Sequence, residues 1–108
     1  MQLDLEERDR LRDRARALAQ SVLSGEADLL EVSRDLWGVL QGMGLDWEDE
    51  DCSAFGLIAS ETEHLPIGSQ RQHWSAEALE RKEPEIRSSR RWAEELGLPA
   101  CRRIVGRW

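Results

Sequence analysis

The chain has 108 residues and a formal net charge of −7; 40% of its residues are hydrophobic and 34% charged, with five tryptophans and three prolines. That length suits one hydrophobic core rather than two, and the aromatic content with little proline speaks against a disordered or fibrous chain. The acidic balance opposes binding to nucleic acid or an anionic membrane, and no apolar run approaches the roughly 18 to 20 residues that span a bilayer.

The start, Met1 to Glu7, has neither a basic region nor an apolar signal core, so a cytoplasmic protein is expected. Asp4 with Glu7 three residues later reads as a capping box opening a first helix. Leu11, Ala15, Leu18 and Val22 then share one helical face. Around them lie five arginines and five acids within residues 1–25. Asp9 with Arg12, and Asp13 with Arg16, stand one turn apart, which reads as a solvated surface rather than a nucleic-acid-binding face. Gly25 is the expected stop.

Asp28 with Glu31 forms a second capping box, followed by the stripe Leu29, Ser33, Leu36, Leu40 and Met43, broadened by Leu30, Trp37 and Val39. This helix is expected to be the most buried. The short connection at Gly25 to Ala27 makes the first two helices antiparallel neighbours.

Residues 26–63 carry eleven acids against the single base Arg34. Their densest run is Asp46-Trp47-Glu48-Asp49-Glu50-Asp51. A calcium loop counted from Asp46 would need glycine sixth and a bidentate acid twelfth, where Asp51 and Leu57 stand, so an EF-hand is excluded. The run reads in two ways: a solvated loop that caps the next helix, or a partner-facing patch in which Trp47 is the apolar anchor. Cys52, Phe55 and Ala59 fit a helix, and Phe55, Leu57 and Ala59 fit a short strand; no partner strand is visible, which favours the helix.

The stretch Ser60 to Trp74 gathers both histidines, two carboxylates, an arginine and a tryptophan around Pro66 and Gly68. Arg71 is placed to fork onto Glu61 or Glu63 across the proline-glycine turn, with Trp74 burying its ring beyond it: a structural staple of Glu61, Glu63, Arg71 and Trp74. Glu61 and His64 also make Glu-x-x-His, half of a carboxylate-bridged metal motif, to which His73 could add. One such pair is too few for that site, so neither a metal nor another cofactor is expected. No Gly-x-Ser-x-Gly turn or phosphate loop is present, and no catalytic residue is assigned.

Ser75 caps a helix through Ala78, Leu79 and Lys82, and Pro84 either kinks it or begins another. Ile86, Trp92, Ala93 and Leu96 lead to an expected stop at Gly97, and Pro99 to a last short helix with Cys101, Ile104 and Val105. The cysteines, with no Cys-x-x-Cys spacing, read as free, half-buried thiols. Arg87, Arg90, Arg91, Arg102, Arg103 and Arg107 are expected mostly to pair with the acidic centre of the same molecule.

The segment from Phe55 through Ser60-Glu61-Thr62-Glu63-His64-Leu65-Pro66-Ile67-Gly68, with Arg71, Trp74, Ala78-Leu79 and Ala100-Cys101, resembles a family of small, largely uncharacterised bacterial proteins with a helical pair and an acidic middle. The resemblance spans roughly residues 20–105 and implies an architecture rather than an activity. Its association with toxin and immunity neighbourhoods implies a binding role. The expectation is therefore an all-α single domain, residues 1–108, of four to six helices. Its function would be that of an acidic, non-enzymatic interaction module, most concretely an immunity protein that occludes a basic toxin or effector surface through Asp46, Trp47, Glu48, Asp49, Glu50 and Asp51. The alternatives are a metal-binding enzyme or sensor using Glu61, His64 and His73, and a homo-oligomer joined through exposed tryptophans.

Overall fold

A computed structural model of the chain describes residues 4–108. Met1 to Leu3, the start of the segment read for a signal core, lie outside the described residues. Four α-helices and one 3-10 helix follow in order: α1 (Leu5–Leu23), α2 (Leu29–Gly42), α3 (Glu50–Thr62), the 3-10 turn (Gly68–His73) and α4 (Ala76–Arg107). Strand is absent among the described residues, so the 52–60 segment is helical.

The helix starts are local chemistry. Asp4, Asp28, Asp49 and Ser75 each have extended backbone, and their side chains accept from free amides of the first turn. Among the described residues Glu7 and Glu31 make no return bond, so only the aspartate half of each expected capping box forms. The stops after α1 and α2 are equally local: Gly25 and Gly44 have φ of 81° and 87°, a region costly for any residue with a Cβ.

The amphipathic stripe of α2 makes it the centre of the bundle. Leu29, Leu30, Val32, Ser33, Leu36, Val39 and Leu40 are all buried, against Phe55 and Ile58 of α3 and Ala93, Ala100, Cys101 and Ile104 of α4. The two fully buried hydroxyls are satisfied inside their own helices: Ser33 donates to the Leu29 carbonyl and Thr62 to that of Ile58, both at 2.7 Å. α1 lies on α2 and α4 through Ala15, Ala19 and Val22, small residues that permit close approach.

α4 departs from expectation. Gly97 does not stop it and Pro99 starts no new helix; one helix of 32 residues runs through Pro84 and Pro99. Each proline leaves the carbonyl four residues back without its amide, but those residues, Glu80 and Glu95, are exposed, where water can replace the bond. Packing holds the helix across Gly97. A Cβ there would stand 2.9 Å from both Leu29 methyl groups and 3.2 Å from Ile58 Cδ1, so glycine is what lets α4 meet α2 and α3. At about 1.5 Å per residue α4 reaches roughly 48 Å. It sets the long axis of a molecule measuring 48 × 25 × 25 Å.

Candidate partner-binding surface

The acidic run divides in two. Asp46 folds an Asx turn, its carboxylate accepting from the Glu48 amide at 2.9 Å, while the Asp49 amide donates to the Asp46 carbonyl at 3.0 Å. That turn presents Asp46, Trp47 and Glu48 to solvent.

Asp49 and Asp51 face inward. Asp49 takes a fork from Arg107, at 3.1 and 2.5 Å, and accepts from the Asp51 and Cys52 amides, both at 3.0 Å. Asp51, only 3% exposed, receives Arg103 Nε on one oxygen at 2.7 Å and Arg107 on the other at 3.0 Å. Glu50 lies outward, 3.6 Å from Arg103. Asp49 and Asp51 thus clamp the first turn of α3 to the last turn of α4, each charge favoured by the dipole of the helix end that carries it. The Arg107 bond holds Asp49 below the usual carboxylate range, against the opposing effect of burial, and Asp49 in turn raises Arg107.

Of Arg87, Arg90, Arg91, Arg102, Arg103 and Arg107, half rather than most pair with the acidic centre: Arg90, Arg103 and Arg107, of which Arg90 forks onto Asp28 at 3.2 and 3.0 Å. Even so, among the described residues Glu26, Glu31, Asp35, Asp46, Glu48, Glu61 and Glu63 are in no ion pair, so the 26–63 region keeps an unneutralised acidic surface.

The expected staple is not made by Arg71. Glu61, Glu63 and Arg71 are all exposed, no ion pair joins them among the described residues, and Trp74 is half-buried. Arg34 of α2 takes the role instead. It donates to the carbonyls ending α3, Thr62 at 2.6 Å and Leu65 at 3.5 Å, and to Gln70 Oε1 at 3.2 Å. A cation at a helix C-terminus satisfies orphan carbonyls and complements the dipole. Beyond it Leu65, Pro66 and Ile67 are buried and Gly68, φ 63°, turns the chain back over Glu31. Leu65 and Ile67 join the hydrophobic core, a placement that no spacing in the sequence signalled.

His64 pairs with Glu85 at 2.7 Å, and Lys82 joins the same carboxylate at 3.1 Å. Those two bonds, His64's the larger effect, hold Glu85 below its ordinary value. Among the described residues no three His, Cys, Asp or Glu side chains converge as a metal site, Glu61, His64 and His73 included. Cys52 and Cys101 are fully buried rather than half-buried. Burial pushes the Cys101 thiol up to about 11 and, with the Asp49 and Asp46 charges, raises Cys52, so both stay protonated at neutral pH.

One feature escaped the sequence reading: Trp47 does not stand alone. Its ring meets that of Trp37, centroids 4.8 Å apart and planes at 48°, over Gly56, where a Cβ would come within 2.6 Å of Trp37 and 2.9 Å of Trp47. A groove of about 420 Å³ opens beside this pair along α3, lined also by Ala59 and Ser60 and walled by Arg34 and Glu63. The glycine in the middle of α3, costly to a helix, is the sequence signal of that close approach. A larger depression of about 700 Å³ lies at the α1–α2 turn, but its wall is tied by the Asp28–Arg90 pair.

Searches against protein-family models, curated proteins and solved structures found no match to this chain.

Proposed function

We propose that the protein is an acidic interaction module that binds a basic protein surface with the Asp46–Glu48 turn and the adjoining face of α2 and α3. In its most specific form it is an immunity-type protein that occludes a basic toxin or effector. The observation that carries this reading is Trp47. It is 56% exposed, yet held in place by its turn and by Trp37, amid carboxylates in no ion pair among the described residues. Large aromatics ringed by charge are the usual make-up of interface centres, and an unneutralised field speeds encounter with an opposite one. Relative to the sequence expectation the surface is redrawn. Asp46, Trp47 and Glu48 face the partner with Glu63, whereas Asp49 and Asp51 brace the fold behind them.

The test pairs a double reversal, Asp46→Lys with Glu48→Lys, with Trp47→Ala, measured against a basic partner recovered by crosslinking in the native host. Both variants should stay folded by circular dichroism, each melting somewhat lower than the wild type because one loses the Asp46 turn bond and the other the contact of Trp47 with Trp37. The reversal should weaken binding about tenfold or more and flatten its dependence on salt, as expected for lost charge pairs. Unchanged affinity in both variants would remove the proposal.

A further inference from the structure

We infer that the Trp37–Trp47 groove is a receptor for a single arginine side chain of the partner, a reading that rests on the interaction role proposed above. Three features favour this occupant. The two indole faces, tilted at 48°, offer the π surface on which a cation is attracted. The rings rest on Gly56, so the open floor is that of Ala59 and Ser60 beside them, small side chains over which a flat group can lie against the exposed indole. Glu63 supplies a carboxylate in the groove wall.

The cation nearest to hand in the same wall, Arg34, is not available to Glu63. Its guanidinium is held by Thr62, Leu65 and Gln70, and no ion pair joins it to Glu63. Those partners are neutral oxygens and leave Arg34 charged, so within the lining it is balanced by Glu63; the negative field comes from Asp46 and Glu48 of the adjoining turn, which like Glu63 are in no ion pair among the described residues. Among cationic side chains arginine fits best. Its planar, weakly hydrated guanidinium stacks on indole and still presents N–H donors in the ring plane to a carboxylate, whereas the lysine ammonium is a compact, strongly hydrated point charge. A neutral aromatic or aliphatic side chain would fill the rings but leave Glu63 unmatched.

The experiment titrates the full-length protein, uniformly labelled with nitrogen-15, with a blocked glycine-arginine-glycine tripeptide and its citrulline and lysine counterparts, while the indole N–H resonances are followed by NMR. The arginine peptide should move Trp37 and Trp47 saturably, leaving Trp74, Trp92 and Trp108 in place. Citrulline, which keeps the planar shape without the charge, should bind about tenfold more weakly or worse, and lysine more weakly than arginine. Trp47→Ala should abolish the response of Trp37, Trp47→Phe should retain it, and Glu63→Gln should weaken it. Equal responses to arginine and citrulline, equal responses to arginine and lysine, or shifts confined to the other three indoles would overturn the assignment. If Trp37 and Trp47 ignore the arginine peptide while the charge-reversed double variant still loses the basic partner, the groove assignment fails and the interaction module stands. If the peptide titrates Trp37 and Trp47 but the partner's affinity is indifferent to the reversal, the broader reading fails instead.

Discussion

Gly97 and Gly38 are both helical glycines, and their surroundings give them opposite consequences. A methyl group at Gly97 would enter the space of Leu29 and Ile58, whereas nothing lies within 4 Å of one at Gly38. Gly97→Ala should cost about 1 to 3 kcal/mol, as overpacked cores do. Gly38→Ala, on an exposed position of α2, should stabilise by up to about 1 kcal/mol through helix propensity alone. Urea unfolding of the two variants beside the wild type checks both signs. Arg34 illustrates the same limit on reading residues singly. It is the one base among the eleven acids of residues 26–63, yet its guanidinium donates to two backbone carbonyls and an amide oxygen. Carbonyls at a helix end have no signature in the sequence beyond the place where the helix stops.

Between elements, the clamp of Asp49 and Asp51 with Arg103 and Arg107 joins the start of α3 to the end of α4. Removing one partner of a buried pair typically costs about 3 to 5 kcal/mol, and because Asp51 would retain Arg103, Arg107→Ala should cost somewhat less, about 2 kcal/mol. The clamp also fixes an acid dependence. Asp49 titrates lower when folded than when unfolded, so its contribution is fully present above the ordinary value of 3.8 and is lost as pH falls through the depressed folded value. A stability profile from pH 6 downwards should therefore fall less steeply for Arg107→Ala than for the wild type; parallel profiles would show that the pair carries no such linkage. α4 offers a converse case. Pro84 is exposed inside a helix, so Pro84→Ala restores an amide to the Glu80 carbonyl with little packing lost. A gain of about 1 to 3 kcal/mol is expected, readable as a higher melting temperature.

At the scale of the molecule, charge and shape act together. α4 draws the bundle out along one axis, and its radius of gyration, 14.6 Å, exceeds the roughly 13 Å typical of a compact chain this long. α4 lies against α1, α2 and α3, and its arginines neutralise only Asp28, Asp49, Glu50 and Asp51 of the acidic region. The remaining acids give the α2–α3 side a field that reaches about one Debye length. Association with a basic partner should therefore slow steeply between about 50 and about 500 mM salt while dissociation changes less, which stopped-flow mixing would resolve. No helix among the described residues is long and apolar enough to cross a membrane.

The sequence by itself determined what depends on near neighbours in the chain: the all-α class, the caps at Asp4, Asp28 and Ser75, the glycine stop after α1, the buried stripe of α2, and the Asp9–Arg12 and Asp13–Arg16 pairs, found at 3.6 and 3.8 Å. These follow from helical periodicity and from backbone amides that must be satisfied within a turn or two. The tertiary structure alone decided which carboxylates of Asp46 to Asp51 face solvent, which arginine holds the turn after α3, whether α4 passes Gly97, and that Trp37 and Trp47 share one groove. Each depends on contacts between residues far apart in the chain, where burial and charge pairing override local preference. The acidic run looked uniform in sequence because all its members are carboxylates; the helix packed against it divided them into a brace and a free surface around Trp47.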